Sequence, residues 1–254
     1  LFAVLIGTIY TMFSLSQPAG PTINVKVVAH QWWWEFDYEN ANITTADELV
    51  VPTGAVIHVD LHSDNVIHSF WVPQLTGKMD VVPGHNNATW FKADNSGYFR
   101  GQCTEFCGLE HANMEFYVKA VAPDVYQTWL RGQQMNAQNS TNPNAEAGKL
   151  IFTTTGACVG CHGIVGVNLK GFNDRTAAAL IGPNLTHFGA RRLIAGGVLP
   201  WDPKDCVVEG SGSSAHIVDQ NSCNLYKWLQ NPQSVKPGND MSIRQLSDTE
   251  IAQL

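Results

Sequence analysis

The densest group of metal-binding side chains lies between Cys103 and Met114. Within twelve residues the sequence places two cysteines, a histidine and a methionine, at Cys103, Cys107, His111 and Met114. Thiolate, imidazole and thioether ligands together select copper, and a blue-copper site uses one cysteine, two histidines and a methionine. A second cysteine allows both thiolates to bridge two copper ions. The segment therefore predicts a binuclear copper site.

Such a site needs a second histidine from elsewhere in the chain. His68 lies in VIHSFWVPQL, where we expect a strand to end, and the backbone carbonyl of Glu105 can supply a remaining weak ligand. Two alternatives use the same residues: a disulfide between Cys103 and Cys107, or a zinc site, for which methionine is a poor ligand. The combined spacing of the four side chains, with VIHSF upstream, favours copper.

A second motif, Cys158-Val-Gly-Cys161-His162, has the C-x-x-C-H pattern that attaches c-type haem. Two thiols one helical turn apart can each add to a porphyrin vinyl group, and the adjacent histidine can then ligate the iron. A redox dithiol and half of a zinc site are the alternatives, but neither requires the histidine that follows directly. The motif therefore predicts one covalent haem c per chain.

Few residues after the motif are candidates for the other axial ligand of that haem. Met241 is the one methionine after His162, and it lies in the polar loop SVKPGNDMS. His187 and His216 are the competing ligands. A methionine ligand raises the reduction potential of a haem, whereas a histidine ligand gives a lower one. We predict Met241 as the ligand.

The elements that must position these motifs differ between the two halves of the chain. Segment 22–120 is rich in Val, Thr and aromatic residues, and VIHVDLHS (56–63) alternates between apolar and polar residues. This alternation predicts a strand with one buried face. Similar strands are expected in NVKVVAHQWWWEF, NATWFKA and MEFYVKAVA, and their spacing indicates an antiparallel sandwich or barrel.

A change from β to α follows. Residues 123–131 predict a short helix, and the polar segment 132–144 is typical of a flexible linker. Beyond the linker, helical patterns occur in AEAGKLIFTTTGA, TAAALIG, RRLIAGG, SCNLYKWLQ and SDTEIAQL. We therefore predict two domains, 22–131 with the copper motif and 145–254 with the haem motif.

The first residues predict a membrane anchor. Residues 1–16 carry no charged side chain and lack the basic start of a signal peptide. A spanning helix needs about 20 apolar residues, and this uncharged run is slightly shorter. We therefore interpret residues 1–18 as the C-terminal part of a transmembrane helix that contacts lipid.

The acidic charge is concentrated in the first half of the chain. Residues 17–135 contain 13 acidic and 6 basic side chains, whereas residues 136–254 contain 9 of each. An acidic face attracts a basic partner and speeds its approach, and it makes nucleic acid an improbable partner. A soluble surface without a partner is the simpler alternative.

The first 130 residues resemble subunit II of cytochrome c oxidase, in HQWWWEF, SDNVIHSFWVPQLTGKMDVVPG and GQCTEFCGLEHANM. The resemblance implies a mainly β, cupredoxin-like Greek-key barrel or sandwich. It also implies that the family's binuclear copper centre, CuA, is bound by His68, Cys103, Glu105 through its carbonyl, Cys107, His111 and Met114. The Glu105 carboxylate would reach a magnesium or manganese ion at the boundary with subunit I.

The same resemblance assigns roles around the copper site. Trp32 matches the exposed aromatic residue through which an electron enters from cytochrome c, whereas we interpret the tryptophans at 33 and 34 as sheet packing. Lys78 and Asp80 match positions that face subunit I. Asn65 is a departure, because an aspartate commonly stands three residues before the histidine. This weakens any acid role at that position and leaves the ligands intact.

The second half resembles the small class I cytochromes c, in CVGCH, in GPNL (182–185) and in YKWLQNPQSVKPGNDM, which includes Trp228. The resemblance implies an all-α domain in which the carbonyl of Pro183 orients the ring of His162. One departure is Ser242, which follows Met241 where proline is common.

A second departure is the longer stretch 200–223, which contains Cys206 and Cys223. The resemblance gives these cysteines no metal role. We interpret them as a disulfide, which persists in an oxidising compartment such as the periplasm. Two separate free thiols are the alternative.

A fused cytochrome is the hallmark of the caa3-type oxidases, so the resemblance implies the electron-entry subunit of a respiratory terminal oxidase. Electrons would pass from cytochrome c or a membrane cytochrome complex through haem c to CuA, and on to haem a of subunit I. Subunit I would reduce oxygen and pump protons, so no catalytic residue is expected in this chain. Its location would be the bacterial inner membrane, with both domains on the periplasmic face.

Three alternatives remain at this point. A nitric oxide reductase subunit with CuA differs mainly in its partner subunit. A nitrous oxide reductase also carries such a copper pair, but it is soluble and would lack residues 1–16. A non-catalytic copper-binding protein, such as a chaperone, would have no need for haem.

Overall fold

The computed structural model describes residues 1–14, 20–172, 174 and 181–254. Most of the predicted helix TAAALIG and the end of the predicted transmembrane segment lie outside the described residues. The first half of the chain contains ten strands: β1 Thr22–His30, β2 Trp33–Tyr38, β3 Ile43–Ala46, β4 Glu48–Pro52, β5 Val56–Ser63, β6 His68–Trp71, β7 Met79–Val81, β8 Asn87–Lys92, β9 Gly97–Cys103 and β10 Glu115–Val121.

Helices and short hairpins make up the rest of the described chain. The helices are α1 Phe2–Ser14, α2 Pro123–Gln133, α3 Pro143–Thr153, α4 Asn224–Gln230, α5 Pro232–Val235 and α6 Asp248–Gln253. The two hairpins pair β11 Leu193–Ile194 with β12 Leu199–Pro200, and β13 Val208–Glu209 with β14 His216–Ile217.

The ten strands form a sandwich of two five-stranded sheets. The strand orders are β3-β2-β1-β5-β8 and β4-β10-β9-β6-β7. The predicted β sandwich is confirmed. The expectation that all strands run antiparallel is wrong for two pairs, because β1 pairs parallel with β5 and β4 pairs parallel with β10. Several strands separate the members of each pair, so the chain can return in the same direction.

The apolar faces of the two sheets meet in one core. Strand β5 shows the predicted alternation, because Ile57, Val59 and Leu61 are fully buried while the residues between them are half-exposed. Across the sandwich, the ring of Trp34 in β2 lies 5.8 Å from that of Phe70 and 5.3 Å from that of Phe116. This core holds the first domain together through apolar burial.

The second half is less purely helical than predicted. The segment RRLIAGG contains β11 and a turn, in which Ala195, Gly196 and Gly197 have φ angles of 58°, 64° and 94°. A run of positive φ angles ends regular helix, and the glycine pair adopts it without steric cost. The all-α prediction is therefore wrong in part, whereas the helices predicted in AEAGKLIFTTTGA, SCNLYKWLQ and SDTEIAQL are confirmed.

A disulfide joins Cys206 to Cys223, as interpreted from the sequence. It closes the long insertion that carries the second hairpin. Cys223 is fully buried in a small core that also contains Tyr226 and Ile251. The insertion is therefore fastened to the helices α4 and α6.

The predicted linker, 132–144, makes contacts along its length. Helix α2 continues to Gln133, and the amide of Ala137 donates to the carbonyl of Val165 at 2.9 Å. The Nε2 atom of His187 lies 3.0 Å from the carbonyl oxygens of both Gln133 and Met135. The flexibility of this segment and the predicted domain boundaries remain predictions.

Helix α1 is 13 residues long, carries no charge and exposes its apolar side chains. Within the described residues, no helix combines the length and apolar content that crossing a bilayer requires. The transmembrane assignment therefore remains a prediction.

The buried face of β5 can be tested against its exposed face. We expect Leu61→Ala in the full chain to lower the free energy of unfolding by about 3 kcal/mol, because it leaves a cavity in the core. His62→Ala, at the next position, should change it by less than about 0.5 kcal/mol. Urea denaturation followed by tryptophan fluorescence measures both. Equal effects of the two substitutions would contradict the burial pattern.

Candidate metal centres

The predicted copper ligands meet at one end of the second sheet. Strand β9 runs antiparallel to both β6 and β10, so its last residue lies opposite Phe70 in β6 and next to the start of β10. Cys103 ends β9, and Met114 directly precedes β10. His68 begins β6, so the expectation that a strand ends there is wrong. The amide of Cys103 donates to the carbonyl of Met114 at 3.0 Å. Strand register thus brings together residues that are far apart in the sequence.

The remaining donors lie on the loop between β9 and β10. The sulfur atoms of Cys103 and Cys107 are 3.8 Å apart. The Nδ1 atom of His68 lies 3.8 Å from the Cys103 sulfur, and the Nδ1 atom of His111 lies 3.6 Å from the Cys107 sulfur. The Met114 sulfur is 3.8 Å from that of Cys107. Imidazoles therefore flank a pair of sulfur atoms on both sides.

The carbonyl of Glu105 also points into this cluster. Its oxygen lies 3.3 Å from the Cys103 sulfur, whereas the rest of the residue is exposed. The described residues thus place the six predicted donors around the pair of cysteine sulfur atoms. These residues would suit a binuclear copper centre, because soft sulfur and imidazole ligands bind copper well.

The two cysteines are free thiols rather than a disulfide. Their sulfur separation of 3.8 Å far exceeds the bond length of about 2.05 Å. A hydrogen bond from the Cys107 thiol lowers the pKa of Cys103 strongly, and the same bond raises the pKa of Cys107. The site therefore already stabilises a thiolate, the form in which cysteine binds metals.

One supporting residue was not assigned a role from the sequence. The Oδ1 atom of Asn65 lies 2.9 Å from Nε2 of His68, so it can accept the proton of that nitrogen. This leaves Nδ1 of His68 unprotonated and facing Cys103. Such second contacts fix the tautomer and orientation of a metal-binding histidine. The position of Asn65, three residues before His68, was the feature of the sequence that could have indicated this role.

Trp33 and Trp34 pack in the sheet as interpreted from the sequence, whereas Trp32 is not fully exposed as expected and its role in electron entry remains a prediction. Trp34 is fully buried in the core, and Trp33 stacks on His30 with 4.1 Å between ring centroids. Trp32 is half-buried, and its indole Nε1 donates to the carbonyl of Cys107 at 3.0 Å. It therefore contacts the copper-site loop directly. Lys78 and Asp80, at the predicted boundary with subunit I, are both exposed.

The haem motif presents its histidine in a defined orientation. Nδ1 of His162 lies 2.9 Å from the carbonyl of Pro183, the contact that the sequence resemblance implied. Burial lowers the pKa of His162, partly offset by this hydrogen bond. A neutral ring whose Nδ1 donates to a carbonyl leaves Nε2 as the metal-binding atom. The ring also packs against Gly182, where a Cβ atom would lie 2.5 Å from it.

The other residues of this site fit a haem group in part. Cys158 and Cys161 are free and half-buried. A cavity of about 740 Å³ adjoins the motif, and its walls include Ile164 and Leu185, although the predicted haem ligands do not line it. Met241 is half-buried on the loop after α5, and its amide donates to Asn239 Oδ1 at 2.8 Å. Its pairing with His162 across a haem remains a prediction.

A β sandwich with two thiols, two imidazoles and a thioether at one end defines a cupredoxin-like domain. Residues 39–121 match the family model described as the periplasmic domain of cytochrome c oxidase subunit II. The β domain of this chain therefore belongs to the cytochrome c oxidase subunit II family.

Relatives extend the similarity beyond that domain. Cytochrome c oxidase subunit 2 of Alkalihalophilus pseudofirmus is 38% identical over 220 residues, which are 87% of this chain and 55% of that protein. The protein of the same name from Bacillus subtilis is 31% identical over 234 residues, covering 89% of this chain and 58% of that protein. The chain thus spans little more than half the length of these curated relatives.

A solved structure is also similar. The periplasmic domain of subunit II of cytochrome oxidase from Bradyrhizobium japonicum is 30% identical, with a TM-score of 0.44. The match covers 46% of this chain and 96% of that one.

The contact between Asn65 and His68 predicts a change in copper affinity. We expect Asn65→Ala to weaken copper binding by about 10- to 100-fold, because His68 loses the acceptor that orients it. Asn65→Asp keeps an acceptor oxygen and should bind nearly as the wild type does. Competition with a copper chelator measures both affinities. Unchanged binding by Asn65→Ala would show that Asn65 does not orient the ligand.

Proposed function

We propose that this chain is the electron-entry subunit of a haem–copper terminal oxidase of the caa3 type. It would receive electrons from cytochrome c or a membrane cytochrome complex at a covalent haem c, and deliver them through CuA to subunit I. Subunit I would reduce oxygen to water. The chain would be anchored in the bacterial inner membrane, with both domains on the periplasmic face.

The observation that carries this proposal is the pair of sulfur atoms 3.8 Å apart, each beside a histidine Nδ1. A mononuclear blue-copper site needs only one thiolate. Two cysteines and two histidines could close a zinc site, but methionine is a poor zinc ligand, so zinc would leave Met114 without a role. Two facing thiols with Met114 and the Glu105 carbonyl suit a binuclear copper centre instead. Membership of the β domain in the subunit II family supports the same assignment.

The similarity of the second half to relatives supports a cytochrome c domain fused behind the copper domain. The similarity to the Alkalihalophilus pseudofirmus protein covers 87% of this chain, so it runs well beyond the matched domain at 39–121. Cys158, Cys161, His162 and Met241 would hold haem c, with Pro183 orienting His162. When bound, haem c and the copper pair would supply the one-electron redox chemistry that protein side chains lack.

The protein side chains supply rigidity and connection. Strands β6, β9 and β10 fix the copper donors from a packed core, which limits their movement. Trp32 contacts the copper-site loop through the hydrogen bond from its indole to the carbonyl of Cys107. The exposed carboxylate of Glu105 is available for a magnesium or manganese ion at a boundary with subunit I, and exposed Lys78 and Asp80 would contact that subunit.

Metal content tests the proposal. The loaded full chain should contain two copper ions and one iron per chain, and it should show near-infrared absorption from mixed-valence copper. Cys103→Ser should abolish this absorption and leave the haem spectrum intact, because a hydroxyl is a poor copper ligand.

The double variant Cys206→Ala/Cys223→Ala is the matched control, since it also removes cysteine sulfur and should keep the copper signal. Metal-loaded protein with a Cys103–Cys107 disulfide and no copper between the sulfurs would refute the proposal. In the intact complex, consumption of nitric oxide instead of oxygen would refute the oxidase assignment alone.

The axial ligand can be tested separately. Met241→Leu should keep the covalent haem but lose the optical signature of methionine ligation, and its reduction potential should fall. Met135→Leu, an exposed methionine before the haem motif, should change neither property. A Met241→Leu protein with the wild-type spectrum would show that another residue binds the iron.

A further inference from the structure

The second half of the chain covers the edge of the β domain that carries Trp32. We call this edge the docking face and define it by Trp32, Tyr98, Asn113 and Glu115. Two segments of the second half contact it: residues 192–197, which contain β11 and the start of the turn after it, and the loop after α5. A Cβ atom at Gly238 in that loop would lie 3.6 Å from the Trp32 ring.

Lys236 is the centre of this contact. Its side chain is buried, with the residue 2% exposed, yet it comes from a loop that is otherwise largely at the surface. Its ammonium donates to the carbonyl oxygens of Trp32 at 2.6 Å, Asn113 at 2.9 Å and Ala195 at 3.0 Å. An ammonium group has three donors. All three are used, two of them across the interface.

Burial lowers the pKa of Lys236 to about 8, and the carboxylates of Asp47 and Glu110 oppose this shift. The ammonium form that makes the three hydrogen bonds therefore predominates at neutral pH. A buried charge is tolerated where hydrogen bonds and opposite charges compensate it. The interface supplies both, so Lys236 is placed for this docked arrangement.

Backbone atoms approach closely around Lys236. The amide of Glu115 donates to the carbonyl of Gly196 at 3.1 Å. A Cβ atom at Gly196 would lie 2.3 Å from the Trp32 carbonyl oxygen, and one at Gly197 would lie 2.7 Å from Cβ of Glu115. The turn can therefore reach the docking face only because Gly196 and Gly197 have no side chains. This is a second reason for glycine at these positions, in addition to their positive φ angles.

Charges on the two sides are complementary. The guanidinium of Arg192 lies 4.5 Å from the ring centroid of Tyr98, a cation–π contact. Arg191 interacts electrostatically with Asp47 and Glu48 of the β domain. With Lys236, these residues set three cations of the second half against the acidic β domain. Some of the acidic side chains in the first half are thus matched by cations of the second half rather than by another protein.

The docking contact also leads to the copper site. Lys236 binds the carbonyl of Trp32, and the indole of the same residue binds the carbonyl of Cys107. A short series of hydrogen bonds therefore connects the loop of Met241 with a predicted copper ligand. A shift of this loop would change the separation between the two halves at the point of electron entry.

We propose that Lys236 is a positioning residue that fixes the second half on the Trp32 docking face, so that the two redox sites have one fixed separation. A soluble partner would then meet the second half rather than Trp32. This inference rests on the proposed function for its consequence in electron transfer, but the docking itself can be measured without it.

The test uses the full chain loaded with copper and haem. In Lys236→Met, which removes the charge and keeps much of the side-chain volume, the Glu115 amide should exchange hydrogen about tenfold faster or more. Electron transfer from haem to copper, measured after rapid reduction of the haem, should slow by about tenfold or more, because its rate falls steeply when the two redox sites are misplaced relative to each other. The absorption of both centres should stay unchanged.

Lys149→Met is the matched control, since Lys149 is an exposed lysine of the second half, and it should match the wild type in both measurements. Gly196→Ala breaks the same contact without removing the ammonium and should reproduce the effects of Lys236→Met. If Lys236→Met loses its haem spectrum, Gly196→Ala decides the outcome.

Wild-type exchange at Glu115 in both docking variants would overturn the inference. If the Glu115 amide exchanges faster but electron transfer is unchanged, Lys236 makes the docking contact but does not position the redox sites. If the wild-type chain lacks copper absorption or internal electron transfer, the proposed function fails, and the exchange measurement still tests the docking.

Discussion

The candidate copper site depends on two cysteine sulfurs that the β sandwich holds 3.8 Å apart without a bond between them. Free thiols at this distance in an oxidising compartment would be expected to form a disulfide unless the backbone or a metal prevents it. Here Cys103 is fixed by its strand, and Cys107 by a loop whose carbonyl accepts hydrogen bonds from Gln31 and Trp32. The scaffold thus keeps the sulfurs at a spacing that suits bridging ligands.

The same scaffold explains why the donors are rigid. The sheet end places His68 beside Cys103, and the large aromatic residues below it leave little space for movement. Asn65 then fixes the proton of His68 on the nitrogen that faces away from Cys103. A centre built in this way needs little rearrangement when its charge changes, which is the property that electron transfer demands.

The two halves of the chain are related by more than a tether. A linker raises the local concentration of one site near the other, but it does not choose an orientation. Orientation comes from contacts such as those of Lys236 and the glycine pair with the docking face. The uneven distribution of charge along the sequence has a partial explanation here, because the cations Arg191, Arg192 and Lys236 lie against the acidic β domain.

The sequence by itself determined which side chains could do chemistry. Ligand type and spacing predict copper at 103–114 and haem iron at 158–162, and the alternation in 56–63 identifies the buried face of its strand. These are local properties, set by side-chain chemistry and by the period of a strand. Only the tertiary structure decided which distant residues join them. The proton acceptor of His68, the turn in RRLIAGG and the burial of Lys236 depend on strand register and on packing between the halves, because a lysine in a polar loop has no local signal that three carbonyl groups will surround it.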